Sequence, residues 1–222
     1  ISMDNTKRTN KLLKVTLSVV ALVLVAAVTY GITMAFLTAR SNDKTNVFTA
    51  GDNVDIIINE PNYDLITDHT YKPGDIQDKD PSVENLKEES YIAMTVEFKV
   101  KDGTEDYVQK TYGEFKNYAH FGIMNSGNFV ADTVNEQWFA NANNADTSTK
   151  LVYYYKGDNA EDVLKAVATD ASTEELFTKV QFNKDIATVV NAKAPDVQIL
   201  VNAYAVQTTD TDITDLNQLI GI

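Results

Sequence analysis

From Arg40 onward the apolar residues recur mostly at alternate positions, in short runs separated by Asn, Asp, Gly, Pro and Thr. A period of two turns one side of an extended strand to the core and the other to water, so the pattern predicts an all-β protein, an antiparallel β-sandwich over residues 53–222. The clearest run is Tyr91 to Lys101, with Ile92, Met94, Val96, Phe98 and Val100 on one face and Thr95, Glu97, Lys99 and Lys101 on the other. The first face is expected in the core and the second in solvent. Further strands are expected at 53–59, 115–124, 151–156, 176–182 and 197–206. The last is apolar on both faces apart from Gln198 and Asn202, a pattern that places it centrally in a sheet.

Helical signals amount to one or two short segments. Asn159 followed by Glu161 and Asp162 reads as an N-cap with acids in the first turn, ahead of Val163, Leu164 and Val167. Residues 133–142, which carry the only tryptophan, Trp138, are the second candidate. The polar stretch between Tyr63 and Glu89, with Pro73-Gly74 and Pro81, reads as a long crossing between strands, as in Greek-key sandwiches. Residues 141–150 read as a mobile surface loop. Tyr153, Tyr154 and Tyr155 are consecutive in a predicted strand, so at most two share a side, which favours core packing over a stacking platform.

The N-terminus follows a different pattern. Lys7, Arg8, Lys11 and Lys14 precede a run from Val15 to Val28 in which only Thr16 and Ser18 are polar, and the next charge is Arg40. A basic region, an apolar region and then small residues is the order of an export signal. Thr33 and Ala35 supply small side chains three and one positions before a cut, so cleavage is expected between Ala35 and Phe36, making residues 1–35 a signal peptide. The alternative is a retained helical anchor, since Val15 to Ala39 is 25 uncharged residues and about 20 span a bilayer. In both readings residues 40–222 lie outside the cell.

Composition narrows the function classes. The 222 residues hold 19 Lys and Arg against 32 Asp and Glu, a formal charge of -13 and a sequence pI near 4.5, which repels nucleic acid and anionic lipid. Four of the basic residues and one acid precede Phe36, so the remainder would carry -16. Without cysteine the chain has no disulfide, thiol nucleophile or cysteine zinc site.

Candidate chemistry is sparse. His69 and His120 belong to no H-E-x-x-H helix, and the chain has no G-x-S-x-G elbow, P-loop or G-x-G-x-x-G turn. Carboxylate pairs for glycosidase work cannot be picked from spacing in a β protein. Calcium is the one cofactor candidate: Asp210, Asp212 and Asp215, and separately residues 102–106 (DGTED), gather oxygen donors at turns, though neither matches an EF-hand loop. The chain is therefore read as non-enzymatic.

Several segments resemble, in order, the TasA and camelysin family of exported proteins, whose precursors use a SipW-type signal peptidase and whose best-known members form biofilm fibres. The first is Thr33-Met34-Ala35-Phe36-Leu37-Thr38 followed by Asn46-Val47-Phe48-Thr49-Ala50-Gly51, with Val54, Ile56 and Ile58. The second is Lys72-Pro73-Gly74-Asp75, then Pro81-Ser82-Val83-Glu84-Asn85 and Tyr91 to Val96. The third joins Leu151 to Lys156, Leu176 to Val180, and Val197 to Gln207 with its Ala203-Tyr204-Ala205-Val206-Gln207 ending. Two departures stand out: Ala39-Arg40 occupies a place where the family commonly has an acid, and residues 107–150 match no part of the pattern. Camelysin-like members have been classed as metallopeptidases, but no zinc motif accompanies the resemblance here, so that activity is not carried over.

The resemblance implies a jelly-roll sandwich from a Gram-positive cell surface or matrix, with residues 36–52 as an extended N-terminal segment. Phe36, Leu37, Val47 and Phe48 would mark a donor strand that pairs with another copy after signal cleavage. The implied partners are the chain itself, a signal peptidase during export, and the membrane through residues 15–39 before cleavage. Two rival expectations remain: a membrane-anchored surface adhesin, and a secreted hydrolase supported only by the acid content.

Overall fold

The computed structural model describes residues 44–46, 54–66, 70–101, 106–186, 195–209 and 211–222. The chain divides between Asn42 and Asp43, and all described residues belong to the second unit. In chain order these are β1 (Lys44–Asn46), β2 (Ile56–Asn59), α1 (Pro61–Asp64), β3 (Ile76–Asp78), β4 (Ser82–Asn85), β5 (Ser90–Lys101), β6 (Val108–Lys110), α2 (Tyr112–Phe115), β7 (Ala119–Asn125), β8 (Asn128–Ala131), β9 (Trp138–Ala140), β10 (Lys150–Tyr155), β11 (Ala166–Val167), β12 (Ala171–Ser172), β13 (Lys179–Phe182), β14 (Asp196–Gln207) and α3 (Ile213–Ile220). The all-β expectation holds.

The largest sheet is built around β5. Along one side β5 pairs with β14 over its whole length, from Lys101 opposite Asp196 to Ser90 opposite Gln207. Along the other it meets β6, β10 and β11 in succession. A three-stranded sheet runs β12-β4-β2 and a four-stranded sheet runs β3-β13-β7-β8. Among the described pairings only β1 with β14 is parallel.

The inner face of β5 is the one its alternation predicts: Ile92, Met94, Val96, Phe98 and Val100 are all buried. They share one apolar cluster with Ile56 and Ile58 of β2, Val83 of β4, Phe121 of β7 and Val180 of β13, so the two smaller sheets face the large one across a common core. Phe98 sits at its centre, with ring centroids 4.6 Å from Phe115, 5.3 Å from Tyr112 and 6.2 Å from Phe121.

The outer face departs from expectation. Thr95, assigned to water, is wholly buried, and Ala93, Val152 and Tyr154 form a second apolar cluster with Leu216 and Ile220 of α3. The C-terminal helix therefore covers this side of the sheet. That cover also explains the two-faced apolarity of β14, where Tyr204 and Val206 pack toward α3 while Ile199, Val201, Ala203 and Ala205 face the core. β14 does lie between two strands, β5 and the three-residue β1, and among the described residues β1 is the last strand on that side.

Neither of these two predicted helices forms, and the three short helices among the described residues lie elsewhere. Residues 159–164 make bends, with Val163 in solvent. The bond from Lys165 N to Tyr155 O at 3.0 Å then steers the chain into β11. Residues 133–142 lead into β9, where Trp138 pairs opposite Tyr155, its ring edge-on to that tyrosine at 5.2 Å and its indole N–H on Glu174 O at 3.1 Å. α2 instead starts at Thr111, whose side chain and that of Glu114 form a capping box. The crossing read between Tyr63 and Glu89 contains α1, β3 and β4. Residues 141–150 are pinned rather than free. Asn144 Nδ2 donates to Val152 O at 2.8 Å, and its Oδ1 accepts from Val152 N at 2.9 Å.

The resembling motifs do structural work. Gly74, at φ +91°, completes a turn begun by Pro73, and Asp75 Oδ2 accepts from Lys72 N at 2.7 Å. Val83 and Asn85 are fully buried in β4. The Asn85 amide donates to Glu88 O and Val167 O, each at 2.8 Å. Tyr153 and Tyr155 point into the core, while Tyr154 lies under α3 and donates its hydroxyl to Asn217.

Candidate functional site

The feature with the clearest capacity for function is the outer edge of β14. Twelve residues pair on its inner side with β5, but on the outer side β1 matches only Val201, Asn202 and Ala203. Among the described residues no strand lies beside Asp196 to Leu200 or beside Tyr204 to Gln207 on that edge. An edge of this kind offers a row of main-chain donors and acceptors to an extended segment. β2, at the end of the three-stranded sheet, approaches both β14 and β1, so β1 runs where the rims of two sheets meet.

Lys44–Asn46 belongs to the segment expected to act as donor, and it pairs with β14 of its own chain. Ala35, Phe36, Leu37, Val47 and Phe48 lie outside the described residues, as do Asp210, His69 and residues 102–105. Asp212 and Asp215 are described, and their carboxylates are committed to the start of α3. Asp212 Oδ1 accepts from Thr214 N at 2.6 Å, and Asp215 Oδ2 accepts from Asp212 N at 2.8 Å. Those backbone bonds hold the Asp212 carboxyl below its ordinary pKa of 3.8. The spacing read as calcium ligands is a helix cap. No group of three or more His, Cys, Asp or Glu converges among the described residues.

A second cluster surrounds Asp132, a residue at φ +58° just past β8. Its Oδ1 accepts from the Tyr112 hydroxyl at 2.6 Å and lies 2.9 Å from His120 Nδ1. Lys116 Nζ is 3.8 Å from Asp132 Oδ2, 2.7 Å from Asp146 Oδ1 and 4.3 Å above the Tyr112 ring. His120, which belongs to no metal motif in the sequence, is thus an oriented partner of Asp132. It borders a shallow depression of about 410 Å³ shared with Gly74, Gln181, Phe182, Asn183 and Lys184. Those walls bring an imidazole, amides and an amine together, and the bonds of Asp132 to Tyr112 and His120 tie α2 to β7 and β8.

The cluster makes a pH-dependent prediction. Burial pushes the Asp132 carboxyl up, but hydrogen bonds from His120 and Tyr112 outweigh it and hold the pKa below the ordinary 3.8. Burial, then the bond to Asp132, pushes the Tyr112 phenol far above its ordinary 10.0. A lowered acid contributes stability that is present above its unfolded value and lost as pH falls through the folded one. A raised phenol contributes stability that is present below about pH 10 and lost as pH rises through its folded value. Tyr112→Phe, which keeps the ring, is therefore expected to cost about 1 to 2 kcal/mol at pH 7. That difference should shrink below pH 3.8 and again above pH 10, as read from urea midpoints. A difference that stays constant across pH would refute the pairing.

Comparison with known proteins returns no match: no family model, no curated protein and no solved structure matches this chain. Among the described residues no helix is long and apolar enough to cross a membrane.

Proposed function

We propose that this chain is a secreted, non-enzymatic structural subunit of an extracellular fibre or biofilm matrix, a jelly-roll sandwich related to the TasA and camelysin proteins. Residues 1–35 form its helical export signal, and cleavage between Ala35 and Phe36 frees residues 36–48 to pair with a neighbouring copy. The observation that carries the reading is the outer edge of the twelve-residue β14, along which, among the described residues, only Val201 to Ala203 are paired, with β1. A donor strand from a neighbour running along this edge would gain main-chain hydrogen bonds over its length. Each copy then gives one strand and receives one. Such a head-to-tail relation does not close and therefore grows as a filament.

Deleting residues 36–48 from the exported protein tests this. The expected result is a folded monomer, with a circular dichroism spectrum like that of the parent, that forms no filaments by electron microscopy at concentrations where the parent does. Fibres of normal appearance from the deletion would sink the donor role. An exported chain that retains residues 15–39 by mass spectrometry would overturn the cleavage step.

A further inference from the structure

Residues 121–131, FGIMNSGNFVA, contain no charged side chain in a chain of formal charge -13. They fold into the β7–β8 hairpin, turning through Ser126 at φ +48° and Gly127 at φ +83°, the signs that a tight two-residue turn requires. Among the described residues β8 is the last strand of its sheet. Its register sets Asn125 opposite Asn128, Met124 opposite Phe129, Ile123 opposite Val130 and Gly122 opposite Ala131.

The turn makes Asn125 and Asn128 a mutually bonded pair, and antiparallel alternation makes Ile123 and Val130 the next. The bond from Asp132 N to Phe121 O at 2.8 Å continues that order. The main-chain N–H and C=O groups of Phe129 and Ala131 therefore point away from β7. Ala131 O receives the neighbouring Thr133 hydroxyl at 3.1 Å. Met124 and Val130 are 40% and 37% exposed. The Phe129 ring lies across Gly122, so near that a Cβ there would stand 2.9 Å from its Cζ. No lysine, proline or inward charge blunts this edge.

We propose that β8 docks against β8 of a second copy, antiparallel about a two-fold axis. Charge selects the occupant: most faces of this acidic chain would meet a copy of themselves acid to acid, and the hairpin is an uncharged window. The strand is also self-complementary. A register centred on Val130 sets Phe129 opposite Ala131 of the second copy, and the reverse, each pair exchanging main-chain hydrogen bonds and placing a ring beside a methyl group. It also sets the two Val130 residues opposite one another as a non-bonded pair, with Cα atoms about 4.5 Å apart. A two-fold contact closes on itself, so it joins two copies and stops. It lies on a different sheet from β14 and within residues 107–150, so it does not rest on the fibre reading.

The absence of cysteine makes the test direct. Full-length Val130→Cys, solubilised in mild detergent and treated with copper phenanthroline, is expected to give a disulfide-linked species of twice the chain mass, because the opposed Cα atoms lie within disulfide reach. Met124→Cys, similarly exposed but one strand inward, should cross-link about tenfold less, and adding Ala131→Pro to Val130→Cys should reduce cross-linking about tenfold by removing an outward N–H. If circular dichroism shows that the proline variant unfolds, Ala131→Lys replaces it, with the same reduction expected from charge repulsion. Equal cross-linking at positions 124 and 130, insensitivity to both edge variants, or an adduct of a different protein would overturn the proposal. The deletion of residues 36–48 should leave the cross-link intact.

Discussion

Replacing Phe98 by alanine is expected to lower the unfolding free energy by about 4 kcal/mol, near the upper part of the range for a buried aromatic truncation. The size follows from where the ring sits. Phe98 is wholly buried in the second half of β5, and the rings of Tyr112, Phe115 and Phe121 gather around it. Two of these belong to α2 and one to β7, so the cavity would open between the large sheet and the four-stranded one. β14 holds the β5 backbone from Ser90 to Lys101, which limits how far the walls can collapse. Phe98→Leu keeps most of the volume and should cost less than half as much. Urea unfolding checks both, the midpoint falling while the slope stays constant. A loss below about 1 kcal/mol for the alanine variant would mean that the layers do not meet at this ring.

That residue was legible because a strand of twelve residues repeats its alternation often enough to fix the core face. The opposite face was not, since nothing within Tyr91 to Lys101 tells that a helix more than a hundred residues later packs on Ala93. The helix had a local signal in Asp212 and Asp215, but two acids three apart serve equally as a cap and as oxygen ligands. Only the backbone N–H groups beside them decide. β4 went unread for a different reason. Its four residues, SVEN, include one apolar side chain, and its place is set by β2, with Asn85 opposite Ile56. The site suffered most. A strand with a core on one face and a helix on the other is apolar on both faces however far its edges are paired, so β14 is recognisable as a strand but the pairing along its outer edge is not.

The buried charges beside α1 carry the other large effect. Glu60 and Asp80 are 3% and 2% exposed, and each depends on a specific donor set. Lys79 Nζ lies 2.9 Å from Glu60 Oε1 and 4.5 Å from the centre of the Tyr63 ring. Asp80 accepts from Asn62 N at 3.0 Å, Asn62 Nδ2 at 2.8 Å and Tyr63 N at 3.1 Å. It thereby caps the first turn of α1 from eighteen residues away, in place of Glu60, whose side chain makes no cap bond. Lys79→Ala removes the one cation at this spot and leaves the Glu60 carboxylate buried without its ion-pair partner, a change expected to cost about 3 to 5 kcal/mol. The net worth of the intact pair is smaller, because bringing both ions out of water has already offset much of their attraction. Lys79→Met combined with Glu60→Gln should therefore cost less than half of Lys79→Ala alone, and a double-mutant cycle built on the single variants separates the coupling from the desolvation. If Lys79→Ala and the paired replacement prove equally mild, water reaches Glu60 and the charge is not buried as its neighbours imply.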